Sequence, residues 1–146
     1  MAITLMAAPM ANAQKVNKEA LVAKLAKVDA DSQDAKKGAK GATWLARGAA
    51  YLEAAEAPSK DIFLDMDYTV AAVALGRANA QNEGVDVGGV ACTEYVYPML
   101  KVYVAGGKVV SWAVTSPVKA GDLAMEAANS YVKAGQLDAK LASKVN

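Results

Sequence analysis

The stretch IFLDMDYTV, Ile62 to Val70, decides between two folds for the middle of this chain. A short apolar run leads into two aspartates, Asp65 and Asp67, which are separated by one residue. On a strand the two carboxylates would share a face, because side chains alternate with a period of two. On a helix they would point about 200° apart, since each residue turns by about 100°. The two arrangements predict different chemistry.

The apolar spacing favours a helix. Four apolar residues recur at helical intervals, and an alanine-rich run continues the pattern: Ile62, Met66, Val70 and Val73. We therefore predict a helix over residues 60–78, about 18 residues long, in which Ser59 is the N-cap. On this helix Asp65 and Asp67 could not bind one phosphate together.

The same string resembles the nucleophile motif of haloacid-dehalogenase-type phosphatases. In that family the first aspartate attacks phosphorus and the second is the acid/base, and both stand at the end of a buried parallel strand. The resemblance implies these roles for Asp65 and Asp67. The other catalytic groups would be a hydroxyl, a lysine and a magnesium-binding acid, but the available residues crowd one strand-to-helix junction: Thr115, Ser116, Lys119, Asp122 and Glu126. A phosphatase is therefore the alternative hypothesis, and we predict no catalytic, cofactor or metal site.

The amino-acid composition argues against several classes of function. The 146 residues are 54% hydrophobic with a formal net charge of +1, which gives no electrostatic basis for binding nucleic acid. Alanine makes up roughly a fifth of the chain, which favours closely packed helices. There is no histidine, so His-dependent hydrolases and the common zinc sites are excluded. The single cysteine, Cys92, is expected to be a buried strand residue.

The first residues look like an export signal. An apolar run over residues 2–10 is followed by Ala11-Asn12-Ala13, which matches a signal-peptidase site with cleavage after Ala13. The run is too short to span a membrane. We therefore expect residues 1–13 to be a signal-peptide-like segment and the mature protein to be periplasmic or secreted.

Residues 14–146 are predicted to form a single α+β domain. Residues 14–80 are predicted to be helical, with Asn17 as the first N-cap and residues 29–34 as a solvated helix end and linker. Residues 84–118 are rich in Val, Tyr and Thr and contain two Gly-Gly pairs, which predicts an antiparallel meander of three or four strands. Residues 119–146 return to helical spacing.

A two-residue turn at Gly106-Gly107 sets the predicted register of the last hairpin. Val104 would pair with Val109 and Val102 with Ser111 on one face. On the other face Tyr103 would lie opposite Val110, and Lys101 opposite Trp112. This second face is expected to collect Tyr95, Tyr97, Tyr103 and Trp112, either as an exposed binding surface or as core.

Two segments resemble a tetratricopeptide repeat (TPR). Trp44, Gly48 and Tyr51 have the spacing of the first helix of that repeat, and Ala127, Tyr131 and Ala134 that of the second. Taken as a whole, the chain resembles exported TPR proteins of Bacteroidetes type, but it departs from them by ending where the repeat array would begin. The C-terminal helix is therefore expected to pack on the N-terminal region or on another copy of the chain.

This resemblance implies a non-enzymatic protein or peptide interaction module, and a purely structural role in the envelope would share the same sequence features. The residues themselves predict no cofactor, no nucleic acid partner and no membrane span. The residues expected to bind a partner or to pack the helices and the hairpin are Trp44, Gly48, Tyr51, Tyr103, Trp112 and Tyr131.

Overall fold

A computed structural model describes residues 16–142, so the expected signal segment at 1–13 lies outside the described residues. In chain order the elements are α1 (Lys18–Gln33), α2 (Gly41–Glu56), a 3-10 turn (Ala57–Ser59), α3 (Tyr68–Leu75), β1 (Ala80–Val87), β2 (Val90–Val96), β3 (Leu100–Ala105), β4 (Lys108–Val114), α4 (Leu123–Leu137) and α5 (Ala139–Ala142). The α+β class is confirmed. No helix within this range is both long and apolar enough to cross a bilayer.

These elements form two compact units. The helical unit comprises residues 17–57 and 117–142, and the sheet unit comprises residues 58–116. The sheet unit is therefore inserted in the sequence between α2 and α4. The length of the chain predicts a single domain over residues 14–146, and its described part forms these two units.

In the helical unit, α2 lies between α1 and α4 and runs antiparallel to both. The start of α2 packs on the end of α4, since a side chain at Gly41 would meet Ala134 and Asp138. Asn17 caps α1 as predicted, because its side chain accepts a hydrogen bond from the Ala20 N–H at 3.0 Å. Half of the buried apolar residues of this unit are alanine: Leu25, Val28, Ala50, Tyr51, Ala54, Ala57, Val118, Leu123, Ala127 and Ala134.

The sheet unit contains the predicted antiparallel meander, in the order β1-β2-β3-β4. Gly106 and Gly107 form the predicted two-residue turn, and both have positive φ (58° and 77°) as the hairpin turn requires. Cys92 is buried in β2, as expected. Residues from α3, the loop before it and the strands pack into one core: Ile62, Met66, Ala71, Leu75, Tyr97, Leu100, Val102, Val104 and Val109.

The predicted hairpin register is correct only next to the turn. Val104 pairs with Val109, but an irregularity after Tyr103 shifts the remaining pairs by one residue. Val102 therefore lies opposite Trp112, and Tyr103 lies opposite Ser111. A β-bulge of this kind adds an unpaired residue on one strand, which simple counting from the turn does not anticipate.

The helix predicted over residues 60–78 is wrong in its first half. Only Tyr68–Leu75 is helical, and Ser59 ends a 3-10 turn instead of capping a long helix. Asp65 has φ 69°, which no right-handed helix contains. The backbone of residues 65–68 pairs instead with the start of β4, and these hydrogen bonds replace the helical ones.

Candidate functional site

Residues 63–66 form a tight turn that is fixed to β4. The Met66 N–H donates to the Phe63 carbonyl at 3.4 Å, which closes the turn. The Asp65 N–H donates to the Val109 carbonyl at 2.7 Å, and the Val109 N–H donates to the Met66 carbonyl at 2.9 Å. Asp65 occupies the third position of the turn, where a type II turn requires positive φ. We call residues 63–66 the Phe63 turn.

The Phe63 turn displays large apolar side chains to solvent. Phe63 is 63% exposed and Leu64 is 60% exposed, while the flanking Ile62 and Met66 are buried in the core. On the following helix α3, Val70 and Val73 are also exposed, Val73 to 84%. Buried residues on both sides of the turn therefore hold Phe63 and Leu64 outward, on a backbone that is already ordered.

The two aspartates of the opening motif do not form the predicted phosphatase arrangement. They precede α3 and lie beside the antiparallel strand β4, not at the end of a parallel strand. Asp67 makes an ion pair with Lys108 at 2.9 Å, and both Asp65 and Asp67 are exposed. Within residues 16–142 no group of His, Cys, Asp or Glu side chains is arranged to hold a metal ion.

The aromatic residues of the hairpin are divided between the two faces of the sheet. Tyr95 and Trp112 pack against the core, and Tyr97 is buried within it. Tyr103 lies on the opposite face, where it pairs with Glu94 and Ser111. The predicted face that combines all four aromatics is therefore wrong, because the bulge moves Trp112 into register with Val102.

The repeat-like residues of the helical unit lie on two helices that pack together. Tyr131 of α4 lies directly over Gly48 of α2, where an added Cβ would stand 2.7 Å from the tyrosine ring. Trp44 donates its indole N–H to the Gly38 carbonyl at 2.8 Å and so closes the α1–α2 loop. Tyr51 is buried. The structure thus brings Gly48 and Tyr131 together, although 83 residues separate them in the chain.

An ionic network surrounds the Tyr51 hydroxyl, and it was not predicted from the sequence. Asp29 accepts hydrogen bonds from Tyr51 at 2.8 Å, from Arg47 Nε at 3.0 Å and from Lys119 Nζ at 3.1 Å. Arg47 also donates to Ser130 at 2.6 Å and to Glu126 at 3.0 Å. The Arg47 guanidinium stacks on the Tyr51 ring, with its central carbon 4.4 Å from the ring centroid.

Partial burial tends to raise the pKa of Asp29, but the hydrogen bonds from Tyr51, Lys119 and Arg47 outweigh it and hold the pKa below the ordinary value of 3.8. A pocket of about 320 Å³ opens beside this network, between the end of α1 and the start of α4. Each guanidinium nitrogen of Arg47 already has a protein partner. The network therefore ties the three helices together instead of offering free groups to a ligand.

Residues 29–34 were predicted to be a solvated helix end and linker. In the structure α1 continues to Gln33, and Asp29 lies in this network. Arg47 stands between Trp44 and Tyr51 on a helix that was read for its apolar face alone. The spacing Arg47 to Tyr51, i to i+4, was the available indication, since such residues are neighbours on a helix surface.

Comparisons with protein-family models, with curated proteins and with solved structures find no match for this chain. The residues of this chain are therefore the basis of the functional proposal.

Replacing Gly48 with alanine tests the contact between α2 and α4. Helix propensity alone would stabilise the variant by about 1 kcal/mol. Because the new methyl group would overlap the Tyr131 ring, we expect a net loss of about 1–3 kcal/mol in the free energy of unfolding. Urea unfolding of wild type, Gly48→Ala, Tyr131→Ala and the double variant Gly48→Ala/Tyr131→Ala measures this loss in a double-mutant cycle. A Gly48→Ala protein that is more stable than wild type would contradict the contact.

The depressed pKa of Asp29 predicts how stability depends on pH. A carboxylate whose pKa is lower in the folded state stabilises the protein above its ordinary pKa, and this contribution is lost as the pH falls through the folded-state value. Wild-type stability should therefore drop more steeply than that of Asp29→Asn once the pH falls below about 5. Thermal unfolding between pH 7 and pH 3 measures the stability of wild type and of Asp29→Asn. Parallel curves for the two proteins would show that Asp29 does not carry the effect.

Proposed function

We propose that this chain is a non-enzymatic protein-interaction module and that the Phe63 turn is its binding element. The observation that carries the proposal is the exposure of Phe63 and Leu64 on an ordered turn. Relation to TPR proteins and export to the periplasm or the exterior belong to the same proposal. The contact between Gly48 and Tyr131 supports the first, and the composition of residues 1–13 supports the second.

Covering the exposed side chains of Phe63 and Leu64 would be favourable for binding. Fully burying a Phe or Leu side chain is worth about 1.5–3 kcal/mol, so exposing two of them leaves this stabilisation unused. A partner that covered both would gain on the order of 2–4 kcal/mol from the exposed fractions alone. Aromatic and aliphatic anchors of this kind are typical centres of protein interfaces.

The ordering of the turn adds to this argument. A flexible loop loses conformational entropy when it binds, and that loss offsets part of the contact energy. Here the turn is already fixed by its hydrogen bonds to Val109 and by the burial of Ile62 and Met66. Binding would therefore require little further ordering of the backbone.

Catalysis lacks comparable support. A phosphatase of the dehalogenase type needs two aspartates at one site, together with a metal-binding acid. In the sheet unit Asp67 is engaged by Lys108, and Asp65 projects from a turn that carries apolar side chains. The absence of histidine removes the most common general base near neutral pH.

Photo-crosslinking tests the proposed interaction. Benzoylphenylalanine at position 73 in the full chain, expressed in the producing organism, should give a discrete protein adduct after irradiation. Phe63→Ser with Leu64→Ser should abolish this adduct without lowering the melting temperature, because both side chains are largely exposed.

The matched control places the same crosslinker at Gln136, an exposed polar position on α4. An adduct that forms equally from positions 73 and 136, or one that survives the double serine substitution, would contradict a binding role for the Phe63 turn.

A phosphatase assay tests the alternative. We expect the purified chain to hydrolyse p-nitrophenyl phosphate no faster with magnesium than without it, and Asp65→Asn to leave the rate unchanged. Asparagine is a suitable replacement because it tolerates positive φ and keeps the turn intact. Turnover that requires both magnesium and Asp65 would replace the binding proposal with an enzyme.

A further inference from the structure

Asp65 adds a carboxylate to the exposed apolar side chains of the Phe63 turn. It lies in the same four-residue turn as Phe63 and Leu64, directly after Leu64 in the chain, and its side chain is exposed. Within residues 16–142 its carboxylate makes no ion pair and accepts no side-chain hydrogen bond. Any surface that covers Phe63 and Leu64 must therefore also approach the Asp65 carboxylate.

The neighbouring acid differs in this respect. Asp67 is paired with Lys108 at 2.9 Å. The ammonium of Lys108 binds Asp67, and this contact is the main reason that the pKa of Lys108 is raised. The charge of Asp65 raises this pKa by a smaller amount, from a greater distance. Within the described residues Asp67 thus has an ion-pair partner and Asp65 has none.

A carboxylate that loses water at an interface must be compensated. An ionised group that is buried without a partner offsets what Phe63 and Leu64 would gain on contact. A hydrogen-bonded cation removes most of this cost, and arginine does so well because its planar guanidinium matches a carboxylate.

We propose that the partner of the Phe63 turn is a protein with an apolar pocket bordered by lysine or arginine, in which a cationic side chain pairs with Asp65. This inference rests on the proposed function, since it names the chemistry of the partner at the same turn. Phe63 and Leu64 supply the apolar contact, and the ion pair made by Asp65 fixes the orientation of the partner.

Two other occupants fit less well. A second copy of this chain in a two-fold symmetric contact would place the same patch on both sides, so that two Asp65 carboxylates would approach each other. An anionic membrane surface would repel Asp65 and the exposed Asp61, and the exposed Lys60 offsets only one of these two charges. Both charges oppose the contact that the apolar side chains favour.

The experiment compares Asp65→Asn with Asp67→Asn, two variants that remove one negative charge each. The protein captured by the crosslinker at position 73 is purified, and its binding to the full-length wild type and to both variants is measured between 50 and about 500 mM NaCl. We expect Asp65→Asn to bind about tenfold more weakly at low salt, with faster dissociation and a shallower salt dependence. Asp67→Asn should stay within about twofold of wild type, because an exposed ion pair contributes little.

The outcomes separate the two proposals. If no adduct forms at position 73, both the proposed function and this inference are overturned. If an adduct forms but Asp65→Asn binds as tightly as wild type, the interaction stands and the cationic pocket is wrong. The inference also fails if the adduct is a second copy of the chain, or if the protein binds phosphatidylcholine vesicles with or without phosphatidylglycerol. Unchanged melting temperatures for both variants exclude a folding effect.

Discussion

The backbone pairing between residues 65–68 and the start of β4 is the constraint on which the sheet unit depends. Its outer hydrogen bond joins the Tyr68 N–H to the Gly107 carbonyl at 2.9 Å, next to the β3–β4 turn. Because β4 is an edge strand, this pairing satisfies backbone groups that would otherwise be open to another chain. It also forces Asp65 to positive φ, starts α3 at Tyr68 and turns Phe63 and Leu64 away from the core.

The sequence predicts the kinds of structure in this chain better than it predicts their junctions. The Asn17 cap, the glycine turn and the meander follow from local chemistry, and local chemistry is visible in a single segment. Residues 60–67 were misassigned because Ile62 and Met66 are four apart, which fits a helix equally well. In the structure both are buried because the turn between them reverses the chain, and that reversal depends on Val109, more than 40 residues away.

The candidate sites were predictable only in part, for the same reason. Gly48 and Tyr131 were singled out by their spacing within separate helices, but their mutual contact depends on how α2 meets α4. Asp29 and Arg47 were missed because the pairing of two helices is not visible in either one, and only the spacing of Arg47 and Tyr51 within α2 indicated the network. The bulge after Tyr103 is a third case, since one unpaired residue moved Trp112 from one face of the sheet to the other.

The identity of residue 65 bears on how the turn is used. Positive φ is least costly for glycine, and asparagine also adopts it readily, so conformation alone gives no preference for a charged residue. Within the described residues, folding makes no use of the Asp65 carboxylate, whereas it uses Asp29 in a network and Asp67 in an ion pair. A charge that the fold neither requires nor neutralises, placed beside two exposed apolar side chains, has the distribution expected at an interface, where apolar contact supplies affinity and charge supplies selectivity. The proposed recognition role thus accounts for a carboxylate at position 65, which neither the turn conformation nor an ion pair within the described residues explains, although the motif in which it stands resembles a catalytic one.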